Sequence, residues 1–199
     1  MHCLPPELVT APTAKPISLV EAKAHLRVDH GLDDGLIERA IDAAAGHLDG
    51  YGGILGRALM AQRWRQFFSF WPASRCLPLR LAPVTAIVEI RVRAADGSES
   101  VVDPANYRLL AGASRPEVLI SLAASLPALE HAPDAVAVTY AAGYGETAET
   151  VPAAIRQAML LMVGDMYRFP ETVALGASGA VPMSATVDRL LAPYRRVQL

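Results

Sequence analysis

The chain has 199 residues, 52% of them hydrophobic and 19% charged, with a formal net charge of −2. That length suits one domain, or one with a small appendage, and is enough to bury a core. The apolar content excludes a disordered chain, and the charge balance excludes an overall basic field for nucleic acid.

The N-terminus, Met1-His-Cys-Leu-Pro-Pro-Glu7, lacks a basic region followed by an apolar run and does not read as a signal peptide. Cys3 and Cys76 make no disulfide framework and read as plain thiols, which suits a reducing cytoplasm. Residues 1–16 are Pro-rich and aperiodic, which predicts an extended arm or disordered leader. Ser18-Leu-Val-Glu21 is a capping box: the Ser side chain can accept from the amide three residues on while Glu21 reaches back. It opens a short helix with Leu19, Ala22 and Leu26 on one face. After a break at His30-Gly31, Asp33 and Asp34 favour a second helix start at the positive end of the dipole. Ile37, Ile41, Ala44, Leu48 and Tyr51 then recur at helical spacing until Gly50, Gly52 and Gly53 stop the helix.

The middle of the chain changes period. Gln62–Trp71 is aromatic and partly alternating. In Pro83–Arg93, Ile87, Glu89, Arg91 and Arg93 alternate with Val88, Ile90 and Val92, as in a half-buried strand. Asp96-Gly97 signals a hairpin turn, because Gly tolerates positive φ. Tyr107–Leu110, Glu117–Ser121 and Ala135–Tyr140 read as further strands, punctuated by prolines, so that an antiparallel β region is expected over about residues 62–142. A turn at Ala141–Gly145 precedes a last helix from Thr150-Val-Pro152, with Ile155, Met159, Met162 and Met166 on its buried face, joined by Leu160 and Val163, and Phe169-Pro170 at its end. Its apolar stretch Ala158–Val163 is far too short to span a bilayer. A slack stretch, Gly176–Pro182, leads to Asp188–Leu199, a basic and apolar segment that reads as an arm docking on a partner.

Candidate chemistry is sparse. His25, Asp29 and His30 lie near one helix end and would need a further converging ligand to hold a metal. Asp33, Asp34 and Glu38 are explained as helix N-terminal acids. The serines have no nucleophile-elbow context, and Gly143-Tyr-Gly145 lacks the Lys-Ser/Thr of a phosphate loop. Trp64, Phe67, Phe68, Phe70 and Trp71 invite a base-stacking reading, but Arg63 and Arg65 alone make little electrostatic footprint, so packing is the expected role. The sequence therefore assigns no catalytic residue, no metal and no cofactor. The alternatives to a structural role are a small nucleic-acid-binding module and a metal-dependent hydrolase.

Several segments, in order, carry a family resemblance: Ile17–Val28, Asp33–Ala45, Gly56–Trp64, Leu77-Pro-Leu79 with Pro83-Val84, Asp96-Gly97, Asn106-Tyr-Arg108, Val138–Tyr144, Val151–Ile155 and Leu190–Arg195. Over roughly residues 17–196 the chain resembles the head–tail connector (adaptor) proteins of tailed phages, in the longer branch with a β insertion that is also found in gene transfer agents. It departs from many relatives after Met166-Tyr167, where Arg168-Phe-Pro-Glu171 replaces an Arg-Glu or Asn-Arg-Glu ending.

The leader over 1–16 lies outside the resemblance, which implies an α+β fold: a connector domain over 17–173 with the β insertion about 62–142, and a tether with a docking tail over 174–199. Its helical core would hold Leu26, Ile37, Ile41, Leu48, Ile155, Met159 and Met162. It implies a non-enzymatic protein, made in the bacterial cytoplasm and resident in the particle neck. There it would form a ring, a dodecamer, under the portal protein and receive a stopper or tail-completion protein. DNA would pass through the channel without specific binding, and no membrane is involved. The tail residues implied to grip the portal are Arg189, Leu190, Leu191, Tyr194, Arg195 and Arg196.

Overall fold

The structure of this chain, a computed structural model, describes residues 4–112, 115–169 and 184–196. It divides into two compact units, Met1–Thr13 with Ala61–Tyr144 and Ala14–Met60 with Gly145–Leu199. The first is built mainly of antiparallel strands and the second mainly of helices, an α+β fold. The expected tether, Gly176–Pro182, and the last tail residues, 197–199, lie outside the described residues.

The helical unit begins with α1 (Leu19–Leu26), capped by the Ser18 hydroxyl, which accepts from the Glu21 N–H at 3.1 Å. Glu21 does not close the capping box with its side chain; its carboxylate instead accepts from Arg156 Nη2 at 2.5 Å. Arg27, at φ 59°, ends α1 in a left-handed cap. The Arg27 N–H bonds the Ala24 carbonyl and the Val28 N–H the Lys23 carbonyl, the paired pattern that satisfies the last orphan carbonyls of a helix. In α2 (Asp34–Leu48), Ile37, Ala40, Ile41, Ala44 and Leu48 are buried at the spacing of one helix face. The two acids at its start are used differently from the expectation. Asp33 makes no side-chain cap bond and accepts from the Tyr167 hydroxyl at 2.6 Å, while Asp34 accepts from Lys23 Nζ at 2.6 Å. They therefore fasten α2 to α1 and to α3 (Ala153–Arg168). Just past α2 the chain doubles back so tightly that a Cβ at Gly53 would collide with the Leu48 and Asp49 carbonyls.

Helix α3 packs against α1, α2 and a short α4 (Ala185–Leu191). Ile155 and Met159 are buried as expected, but Met162 and Leu26 are only half-buried. Leu160 and Val163 are buried as expected; with neighbours on several sides, the buried arc of α3 extends to Ala158 and Gly164 and leaves Met162 and Met166 half-buried at its margin. Leu26 is the last residue of α1 and lines an open cavity there.

The β unit has a five-stranded sheet in the order β1 (Glu7–Thr10), β2 (Gln62–Phe68), β8 (Val136–Ala142), β4 (Val84–Arg93), β5 (Glu99–Val101). A second sheet orders β3 (Cys76–Pro78), β7 (Glu117–Ile120) and β6 (Tyr107–Leu110). All pairings are antiparallel. Residues 7–10, expected as part of an arm or disordered leader, are the edge strand β1. The alternation expected along β4 also breaks: register shifts between Val84 and Ala86 and between Ile87 and Glu89 leave Val88 45% exposed, while Ile90 and Val92 are buried. The Asp96-Gly97 turn forms as expected, with Gly97 at φ 82° and Asp96 Oδ1 accepting from the Ser98 N–H and hydroxyl. Buried Gln66 ties β2 to the strand of the other sheet, donating to the Pro78 carbonyl at 2.8 Å and accepting from the Arg80 N–H at 2.8 Å.

Candidate functional site

The C-terminal segment is the first candidate, and its described part is folded onto the helical unit. Ser184 opens α4, its hydroxyl accepting from the Thr186 N–H at 3.3 Å. Val187 and Leu191, four apart on one face, have no exposure and pack toward α3. Beyond α4, Arg57 Nε donates to the Tyr194 carbonyl at 2.6 Å and the Arg196 N–H donates to the Leu55 carbonyl at 3.2 Å. Both partners sit on Leu55–Met60, whose residues are all buried. The Leu59 N–H to Asp49 Oδ1 bond, at 2.6 Å, braces this hook against the end of α2. Arg195 turns back along its own segment to Asp188 at 2.6 Å.

The six expected portal-gripping residues thus share one short segment but not one face. Leu191 is a correction: it is spent inside its own unit, because burying a leucine removes about 1.5–3 kcal/mol worth of apolar surface from water. Arg189 and Arg195 are exposed, and Leu190, Tyr194 and Arg196 are half-buried. The hook Leu55–Arg57 was not legible as part of this site, since nothing in its composition marks a strand-like receiver for a distant carbonyl.

The other candidates disperse. His25 lies exposed at the end of α1, beside a cavity of about 440 Å³ lined also by Leu26, Arg27, Leu161, Gly164, Asp165 and Arg168. His30 is 4.0 Å from Asp33. Among the described residues no group of three or more His, Cys, Asp or Glu side chains is placed to hold a metal ion. The aromatic run is split by the pleat of β2: Trp64 and Phe68 are buried and Phe67 lies on the other face, while Trp71 donates to the Pro127 carbonyl. That arrangement provides packing and no continuous stacking platform. No helix among the described residues is long and apolar enough to cross a membrane.

The β unit carries a charged constellation that the sequence did not single out. Arg93 lies 3.5 Å from Glu99, 3.4 Å from Glu130 and 3.3 Å from Asp134. The carboxylates, Asp134 foremost, push its pKa above the ordinary value. Arg91 and Glu89 stand beside them on β4. The residues come from β4, β5 and the segment before β8, so only the fold brings them together.

Solved structures match nearly the whole length of the chain. A chain from the neck of an empty gene transfer agent (GTA) particle computed with C6 symmetry has a TM-score of 0.76 at 26% identity, over 98% of this chain and 96% of that one. The likeness agrees with the head–tail connector family. A chain from the virion of a native GTA particle matches at TM-score 0.71 and 24% identity, covering 98% of this chain and 97% of that one. A chain from the neck of a native GTA particle computed with C12 symmetry matches at 0.70 and 24%, covering 98% and 96%. These last two share the fold. No family model and no curated protein matches the sequence.

Proposed function

We propose that this chain is a structural neck protein of a tailed phage or gene transfer agent. It assembles as a ring beneath the portal, extends the DNA channel and receives the stopper or tail-completion protein. The observation that carries this reading is the match to a GTA neck chain over nearly the whole length of both chains, 98% and 96%, at 26% identity. Rotational symmetry in the matching necks, C6 and C12, supports self-assembly into a ring. A net charge of −2 suits a channel that passes DNA without neutralising its phosphates and holding it.

Portal contact is assigned to the outward side of the C-terminal segment, Arg189, Leu190, Tyr194 and Arg195. The inward side, Val187 and Leu191, holds that segment on its own unit. A segment already held in one conformation loses less entropy on binding than a free arm does. Each contact remains small, and a ring of such segments on a ring of portal sites gains from high effective concentration. The test is complementation of a strain lacking this chain. The unaltered chain should restore tailed particles, and Leu190→Asp with Arg189→Glu should leave DNA-filled heads without tails. Normal tailed particles in the strain lacking the chain would refute the role.

A further inference from the structure

Two connections lie side by side at one end of the β unit: residues 69–75 lead from β2 to β3, and residues 121–135 lead from β7 to β8. Hydrogen bonds lock them together. The Trp71 indole N–H donates to the Pro127 carbonyl at 3.3 Å. Arg75 Nη1 donates to the Ser121 carbonyl at 2.7 Å and to the Ala124 carbonyl at 3.1 Å. The Ile120 N–H donates to the Arg75 carbonyl at 2.9 Å. Arg75 makes this turn at φ 55°, in the left-handed region that residues other than glycine rarely adopt.

The tip so built is apolar. Leu122 is 86% exposed and Phe70 46%. Ala73 and Ala123 are exposed as well, and Trp71 and Leu126 are half-buried. The tip is also free of spare charge. Residues 66–74 and 118–129 contain no Asp, Glu, Lys, Arg or His, and Arg75 spends its guanidinium on the two carbonyls. Exposed leucines scattered singly are ordinary, but an uncharged apolar surface running along two paired loops marks a contact site. Because the loops already hold each other, covering them costs little ordering entropy.

Three exclusions narrow what covers the tip. In a ring of cyclic symmetry, neighbouring copies meet through two different surfaces, so the tip does not meet its own counterpart. Nor does this chain offer a second surface that matches it. Among the described residues, the other large apolar side chains more than half exposed are Val20, Leu32, Val101 and Phe169. Each stands beside a charge: Val20 next to Glu21, Leu32 next to Asp33, Phe169 next to Arg168 and Val101 across from Arg91. Pressing an uncharged apolar surface onto those groups would strip their water and offer no partner in exchange. DNA is excluded as well, since the tip has no free cation to meet a phosphate.

We infer that the Phe70–Leu122 tip is a contact with a neck protein other than this chain, one that offers an uncharged apolar recess. This rests on the connector reading above.

The test places photoreactive benzoylphenylalanine at position 122 in chains assembled into particles. Irradiation is expected to join this chain to a different particle protein, identified from the mass of the cross-linked peptide. In complementation, Leu122→Asp should lower the number of tailed particles roughly tenfold, the scale of one lost anchor residue. The urea midpoint of the purified Leu122→Asp chain should not move, because the side chain is exposed. Necks that contain the chain but give no cross-link, or a cross-link only between copies of this chain, overturn the tip contact and leave the connector reading intact. Necks that lack the chain overturn both.

Discussion

Leu190 and Leu191 are adjacent on α4 and do opposite work: the first is half-exposed and the second has no exposed surface. Leu191→Ala is expected to cost about 2–5 kcal/mol, because it removes a buried side chain and leaves a cavity. Leu190→Ala should stay within about 0.5 kcal/mol. Urea midpoints of the purified variants give both numbers, and equal losses would contradict the assigned faces. The Tyr167–Asp33 hydrogen bond makes a second prediction. That bond, then burial, then the Asp33 charge raise the Tyr167 pKa above its ordinary value near 10. A raised folded pKa means that the folded chain holds the proton more tightly than the unfolded chain does. The contribution is therefore complete below about pH 10 and is lost as pH rises through the higher folded value. The unaltered chain should lose more stability between about pH 9 and about pH 12 than Tyr167→Phe does, and identical pH profiles would remove the bond from the account.

At the scale of elements, α4 belongs to the helical unit. Deleting 184–199 would uncover the side of α3 against which Val187 and Leu191 pack and leave Arg57 without the Tyr194 carbonyl. The truncated chain is expected to unfold at lower urea, and an unchanged midpoint would return the segment to the status of a free arm. Ile41→Asp should unfold the same unit outright, because it places an unpaired charge on the buried face of α2; a soluble, cooperatively folding variant would show that face to be misassigned. Helix α2 was legible because Ile37, Ile41, Ala44 and Leu48 repeat over several turns. Helix α4 was not, because its seven residues offer only Val187 and Leu191 as a periodic signal. Strand β1 was hidden for a different reason: all four of its residues are exposed, so pairing with β2 and not burial makes it a strand. On β4 the alternation was visible, but a bulge at Val88 is set by cross-strand register, which no local pattern records.

For the whole molecule, the resemblance read from short ordered segments and the superposition on GTA neck chains point the same way. What the sequence lacked was tertiary: that Leu55–Arg57 receives the C-terminal segment, and that Arg93 gathers acids from three parts of the β unit. Both couple residues far apart in the chain, which is why composition and period were silent on them. The most direct test of the central claim is an electron cryomicroscopy reconstruction of particles from a strain that makes this chain. A ring of copies of this fold is expected directly beneath the portal, with Arg189, Leu190, Tyr194 and Arg195 at the portal contact. A neck resolved to side-chain detail with no density for this fold would contradict it.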